Sequence, residues 1–339
     1  MSEKSFLFDF GGMSPQDINR VQQEIKESGF GNLEKDPKIQ SFASDIGREF
    51  LMFLQFVFKS MGLLNEFGFI CNPIKPVVTE TDENTPPTEI MKQAWNKRAH
   101  DWAVIESPLN YAITMQTLLE FFRVSGKPET VLSLGSGPGL YETYLGQLFS
   151  QNELSDKIQI VCLDFAREMT RRHQEILDKI RFDEGKGIRK VQNVKAITGE
   201  MSNLKFLSRS IDQIICNNSL QWVPDWKKAV AEMHRVMSPK GLGQLYLFIH
   251  THPMSVTDGK GKVVFEFGNF KIPELLDEME VNRFDVRHSR QIQGRPGVGQ
   301  MGGTTSRVFL QFVHKPNCDF KSWRTKNISV ALAGSGFGR

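Results

Sequence analysis

Apolar residues recur along this chain in three regimes. Between Pro37 and Met61, the residues Ile39, Phe42, Ile46, Phe50, Phe53, Val57 and Met61 follow one another at three- and four-residue steps. That spacing puts side chains on one face of a long helix. Ahead of it, Ser14-Pro15 and Asp36-Pro37 each pair a capping residue with proline at the first helical position. Residues 1–90 therefore read as a helical extension rich in phenylalanine (Phe50, Phe53, Phe56, Phe58, Phe67, Phe69). Its apolar face is expected to pack on the main domain or to join two copies of the chain as a homo-oligomer. A wall over a substrate pocket is the competing role.

The second regime is short. Pro73, Pro76, Pro86 and Pro87 surround the acidic, polar run Thr79-Glu80-Thr81-Asp82-Glu83-Asn84, a poor core former that reads as a linker. Helical patterning resumes at Glu89 and continues, with a break near Pro108, to about Val124.

From Thr130 onward apolar runs of strand length alternate with helical patterns, the mark of a parallel sheet covered on both faces. The predicted strands are Thr130–Leu134, Ile158–Leu163, Val194–Thr198, Ile211–Cys216 and Gln244–His250. Helices are predicted at Leu140–Phe149, Arg167–Ile180, Trp226–Met237 and Ile272–Glu280. Two late strands follow, Phe284–Gln291 and Val308–Val313. The expected fold is α/β, a doubly wound, mostly parallel seven-stranded Rossmann-like sheet over residues 91–315. Residues 316–339, ending Ala333-Gly334-Ser335-Gly336-Phe337-Gly338-Arg339, read as a flexible tail.

Composition narrows the function only slightly. A net charge of +3 on 339 residues gives no argument for nucleic acid or an anionic membrane as partner. Cys71, Cys162, Cys216 and Cys318 lack metal-ligand spacing, so no metal is expected, and Cys162 and Cys216 fall in apolar runs as buried thiols do. The start of the chain lacks the pattern of a secretory signal, and the most apolar run, Phe50–Phe58, is too short to span a bilayer. A cytoplasmic protein is expected.

Chemistry concentrates at the carboxyl ends of the predicted strands, where open α/β sheets bind ligands. Thr130–Leu134 runs into Gly135-Ser136-Gly137-Pro138-Gly139-Leu140. Glycines serve where a loop takes positive φ or lies against a ligand. The pattern is G-x-G-x-G, with leucine where the dinucleotide fingerprint would carry its third glycine, so a nicotinamide cofactor is disfavoured. The second strand ends in Asp164, placed to accept hydrogen bonds from ribose hydroxyls. The third ends in Gly199-Glu200-Met201, where Glu200 is placed for an adenine amino group and Met201 for the ring. The fourth runs into Asn217-Asn218-Ser219-Leu220-Gln221-Trp222-Val223-Pro224-Asp225.

Together with His234-Arg235-Val236-Met237-Ser238-Pro239-Lys240-Gly241, these segments resemble the class I S-adenosylmethionine-dependent methyltransferases. The likeness is greatest to the small-molecule group of malonyl-carrier-protein, trans-aconitate, juvenile-hormone-acid and ubiquinone methyltransferases. It covers about residues 91–315, and Ala94–Trp102 resembles the helix that closes over the cofactor. The resemblance implies S-adenosylmethionine held by Gly135, Ser136, Gly137, Gly139, Asp164, Phe165, Glu200, Met201 and Asn217, with Gln221 and Trp222 lining the substrate pocket. One position departs from the pattern. The family usually carries an acid two residues before the first glycine to hold the methionine end of the cofactor, and here that residue is Ser133.

Methyl transfer from a sulfonium is an in-line displacement that requires alignment. A carboxylate acceptor needs no base; a hydroxyl or carbon acceptor does, and His250 and His252, at the end of the fifth strand, are the candidates. The Leu220–Asp225 resemblance favours a small-molecule carboxylate acceptor. The Asn/Asp-Pro-Pro-aromatic turn that resembling enzymes use for base amino groups is missing, and no basic stripe tracks a phosphate backbone. The loop Gly294–Gly303 lies between two late strands, so it reads as a hairpin loop and not a phosphate cradle. The alternative, motivated by Ser133 and the extension, is a catalytically weakened fold that binds the cofactor or a partner protein.

Overall fold

The computed structural model describes residues 4–7, 45–66, 78–81, 85–100, 102, 106–183, 188–239, 243–250, 254–258, 263–267, 270–294 and 305–314. In chain order the first elements are β1 (Lys4–Leu7), α1 (Asp45–Ser60), β2 (Val78–Thr81), α2 (Pro87–Arg98) and α3 (Pro108–Phe121). They are followed by β3 (Glu129–Leu134), α4 (Leu140–Gln151), β4 (Ile158–Asp164), α5 (Arg167–Lys179), a short hairpin of β5 (Arg181–Asp183) and β6 (Ile188–Lys190), and β7 (Val194–Thr198). Then come β8 (Gln213–Asn217), α6 (Trp226–Val236), β9 (Gln244–His250), β10 (Met254–Asp258), β11 (Val263–Phe267), α7 (Ile272–Val281), β12 (Phe284–Gly294) and β13 (Thr305–His314).

Seven strands form one sheet in the order β7-β4-β3-β8-β9-β13-β12. All neighbours from β7 to β9 are parallel, and β13 runs antiparallel to both β9 and β12. The expected fold class is met. Its central strands β3, β8 and β9 are buried on both faces, which is why they read as largely apolar runs. The two-residue period sorts their side chains: Tyr246 and Phe248 of β9 enter one core with α1, α3, α4 and α5, while Leu245, Leu247 and Ile249 enter the other with α6 and α7. Cys162 and Cys216 are buried free thiols.

The extension is only partly helical. α1 packs on the main domain through Phe50, whose ring meets those of Tyr111, Tyr141 and Tyr144 at 5.0–6.3 Å. Yet Lys4–Leu7 is a strand, and so is Val78–Thr81 inside the expected linker. They pair with each other and, through β10, with β11 in a four-stranded antiparallel sheet of order β11-β10-β1-β2. Backbone pairing with a strand distant in sequence overrides composition here. β10 and β11, inserted after β9, were likewise outside the predicted elements. The helix starts at Ser14-Pro15 and Asp36-Pro37 and the tail 316–339 lie outside the described residues, as do Cys71 and Cys318. Among the described residues no helix is long and apolar enough to cross a membrane.

Candidate functional site

The sheet reverses its winding between β3 and β8, and the carboxyl ends of these strands open on a cavity of about 200 Å³. Such a switch point is where an open α/β sheet binds its ligand. The loop after β3 is strapped down by its backbone: Gly135 N–H and Ser136 N–H both donate to the Leu163 carbonyl, at 2.7 and 3.2 Å. Asp164, at the end of β4, completes the strap. Its Oδ2 accepts from Gly137 N–H and its Oδ1 from Ala166 N–H, both at 2.8 Å. Burial nevertheless raises its pKa to about 6, against the lowering effect of these two bonds.

Two of the loop glycines do different work. Gly139 has φ +66°, and a Cβ there would fall 2.0–2.2 Å from three atoms of the His173 ring. Gly137 has φ +56°, and a Cβ there would meet nothing within 4 Å. One glycine makes room for the protein; the other faces open space in the cavity. The His173 ring is fully buried and pushed down by burial to a pKa of about 3, so it is neutral. The Thr143 hydroxyl donates to the Gly139 carbonyl at 2.7 Å, and so accepts from His173 Nε2–H at 3.1 Å.

Beneath the loop, Ser133 Oγ donates to Glu142 Oε1 at 2.5 Å. Glu142 sits in the first turn of α4, 1% exposed. Its second oxygen is buried with no protein partner, and burial raises the carboxyl to about 7. The Ser133 bond opposes this shift, and the Asp164 charge adds to it.

The opposite wall comes from the helices before the sheet. Met91, Trp95 and Ala99 of α2 and its end pack on Ala166 and Met169, with Trp102, Phe165 and Trp222 against them. Trp95 meets Trp102 and Trp222 edge-on at 4.7 and 5.2 Å. Asn96 Oδ1 accepts Glu168 N–H at 2.9 Å, capping α5 from α2. Tyr111 and Tyr141 also line the cavity, and burial pushes both phenols up, so they remain hydrogen-bond donors. Glu106, beside them, is tied to the buried Arg307 guanidinium at 2.6 Å and to Asn110 Nδ2 at 2.5 Å. On the β8 side, Ser219 Oγ donates to the Leu134 carbonyl at 2.7 Å, and Trp222 Nε1–H to the Asn218 carbonyl at 3.1 Å.

Gly135, Ser136, Gly137, Asp164, Phe165, Glu200, Met201, Asn217 and Trp222 thus come together around one cavity. Gly139 stands behind the loop against His173. Gln221 is buried and is not among the lining residues. His250 ends β9 half-buried, opposite Arg307 in the strand ladder, and does not line the cavity either. His252 lies outside the described residues. Among the described residues no group of three or more His, Cys, Asp or Glu is arranged to hold a metal. Sequence reasoning missed Glu142, Tyr111, Tyr141, Glu106 and His173. For Glu142 a signal existed: it is the acid nearest a glycine loop that lacks its own.

Residues 132–244, from β3 into the start of β9, match the family model described as a methyltransferase domain. The chain carries a class I S-adenosylmethionine-dependent methyltransferase domain. Over 125 residues the chain is 26% identical to an uncharacterized chloroplastic methyltransferase of Arabidopsis thaliana, covering 37% of this chain and 32% of that protein. A 76-residue stretch is 33% identical to malonyl-[acyl-carrier protein] O-methyltransferase 1 of Coxiella burnetii, covering 22% and 27%. The chain thus spans about a third or less of the length of these relatives. The crystal structure of magnesium protoporphyrin IX methyltransferase from Synechocystis PCC 6803 with bound S-adenosylmethionine is similar over 69% of this chain and 100% of its own. The TM-score is 0.48 and the identity 14%.

Proposed function

We propose that the methyltransferase domain binds S-adenosylmethionine in the switch-point cavity and directs its methyl group to an oxygen of a small organic acceptor. The observation that carries this reading is the loop Gly135–Gly139, strapped by Asp164 and open on the ligand side at Gly137. The residues fit the cofactor. Asp164 has lone pairs beyond those given to Gly137 and Ala166 for ribose hydroxyls. Glu200 and Met201 stand at the end of β7 for the adenine, and the bare backbone at Gly137 admits the amino-acid end. The bound cofactor supplies an electrophilic methyl on a sulfonium. The protein's part is to orient the acceptor in line with it and to exclude water.

The acceptor compartment lies between Trp95, Trp102, Tyr111, Tyr141 and Trp222, which favours an acceptor with an apolar body. Its polar groups favour a carboxylate end. Tyr111 and Tyr141 stay protonated as donors, Lys92 adds a cation, and the Glu106 carboxylate is engaged by Arg307 instead of standing ready as a base. A carboxylate is ionised at neutral pH and attacks without losing a proton. Labelled cofactor offered with fatty, dicarboxylic and aromatic acids, alongside phenols and quinols, tests the assignment. With a carboxylate acceptor, turnover at saturating cofactor should stay nearly flat from about pH 7 to 9 and survive His250→Ala and His252→Ala. Methylation of a phenol or quinol alone, with a rate that rises through a single pKa, would overturn the acceptor class and leave the cofactor reading intact. Homo-oligomerisation through the N-terminal helices belongs to this proposal too, with Ile46, Met52 and Phe56 of α1 exposed; light scattering tests it, and a monomer at all concentrations would remove it.

A further inference from the structure

We propose that Glu142, reaching back from α4, supplies the carboxylate that position 133 lacks, so that the Ser133–Glu142 pair is the seat for a primary ammonium group at the cofactor's amino-acid end. The inference rests on the cofactor reading.

Its geometry is specific. Ser133 is the second residue before Gly135 and is fully buried under the loop. With Ser133 Oγ only 2.5 Å from Glu142 Oε1, the Glu142 carboxylate lies one hydrogen bond from where an acid at position 133 would place its own. A shorter side chain on the strand and a longer one on the helix deliver the same functional group to one point. The hydroxyl is also the right neighbour. It donates to one carboxylate oxygen, fixes its rotamer and leaves the other free for a ligand.

That second oxygen is the independent observation. Glu142 Oε2 is buried without a protein partner, in a residue that lines the cavity. Buried polar atoms in folded proteins are nearly always paired, and an orphaned carboxylate oxygen is among the costliest exceptions. Lys92, on α2, is the one cationic side chain among the described lining residues. The chemistry that satisfies such an oxygen is an N–H donor with positive charge arriving from the cavity, and an aliphatic ammonium fits. The raised pKa agrees with this picture: without a cation the carboxyl is close to half-protonated at neutral pH, and a cation would draw it into the ionised form. The titratable groups facing it are Asp164 and Cys162 of β4. His173 of α5, behind Gly139, is held neutral.

The test compares two probes. S-adenosylhomocysteine carries the ammonium and carboxylate; 5′-methylthioadenosine shares the nucleoside and thioether but lacks both. Titration calorimetry on the full chain at pH 8 should show Glu142→Gln weakening S-adenosylhomocysteine by about 10- to 100-fold, as for a charged hydrogen bond. Methylthioadenosine affinity should be unchanged. The relocated acid, Ser133→Asp in the Glu142→Gln background, should recover much of the loss. Near pH 6.5, wild type should release protons on binding S-adenosylhomocysteine, measured in buffers of different ionisation enthalpy, and Glu142→Gln should release fewer. If wild type binds neither probe, the cofactor reading itself fails. If wild type binds both and Glu142→Gln binds S-adenosylhomocysteine as well as wild type does, the ammonium seat is wrong while the cofactor reading stands. Equal losses for both probes would also overturn it, since the substitution would then have damaged the cavity generally. Should Glu142→Gln not fold, Ser133→Ala carries the same comparison, with a several-fold selective loss expected and equal effects on the two probes refuting it.

Discussion

Gly137 and Gly139 share a left-handed backbone but should respond in opposite ways to the same methyl group. At Gly137 an alanine meets no atom within 4 Å, so the cost to folding is confined to the left-handed φ of +56°, about 1–2 kcal/mol. At Gly139 the same penalty applies at φ +66°, and the added carbon overlaps Cε1, Nε2 and Nδ1 of His173. The ring is fully buried and hydrogen-bonded to Thr143, so it must be pushed into packed surroundings. Overpacking adds about 1–3 kcal/mol, and loss of the Thr143 bond about 1 kcal/mol. Gly139→Ala should therefore be destabilised by roughly 3–6 kcal/mol in urea denaturation, and Gly137→Ala by no more than 2. Binding should rank the other way per unit of stability lost. A methyl at Gly137 stands where the ligand must lie, so this folded variant should lose most of its affinity for S-adenosylhomocysteine. His173→Ala in the Gly139→Ala background should restore part of the stability, because the two sites are coupled through the overlap. The reasoning is refuted if Gly137→Ala binds as wild type does, or if both alanines cost the fold equally.

Other outcomes follow from the buried titratable groups. Burial raises Glu142 to about 7 from 4.5, so the folded chain holds the extra proton between those values and stability falls as pH rises through them. Ligand-free Glu142→Gln should then match wild type near pH 4 and exceed it by about 3 kcal/mol at pH 8; denaturation curves that keep the same offset at both pH values would contradict this. His173 has the opposite sign: its folded pKa of about 3 lies below the usual 6.5, so the unfolded chain takes up the proton and stability is lost as pH falls below 6.5. Replacing it with glutamine should remove about 2 kcal/mol of acid sensitivity at pH 5, read from urea midpoints at pH 7.5 and 5. Arg307 is 2% exposed and paired with Glu106. Glu106→Ala should cost about 3–5 kcal/mol by stranding that charge, and Glu106→Ala with Arg307→Met should cost less; the reverse order in thermal melts would show that the pair is not held as a buried ion pair.

The centre of the sheet was legible because strands buried on both faces leave unbroken runs such as Ile214–Cys216 and Leu245–Ile249, each stopped by a polar residue. Asp164 was legible by position, but not the manner of its use. Only the folded loop shows its two oxygens taken by Gly137 and Ala166 N–H groups before any ligand arrives. Glu142 was missed because its role depends on a side chain crossing from a helix to the strand before it, a relation with no sequence period. His250 was placed at the correct strand end, yet a strand's last side chain can face either side of the sheet, and this one does not reach the cavity. Val78–Thr81 carries the polarity of a linker, and the partner that makes it a strand is remote in sequence.

That remoteness reaches beyond the fold to the order in which the chain is made. Phe6 and Leu7 of β1 pair with Asp258 and Thr257 of β10, so two segments hydrogen-bonded in the finished molecule leave the ribosome roughly 250 residues apart. At about 5–20 residues per second the first waits on the order of ten seconds to a minute for the second. Throughout that interval β2 is the only partner among the described strands that β1 has had time to meet, and the edge of β1 that β10 will cover stays open to any passing strand. Chains released early, by a nonsense codon or a stalled ribosome before Met254, would carry this open edge permanently, even those long enough to contain all of the parallel strands from β3 to β9.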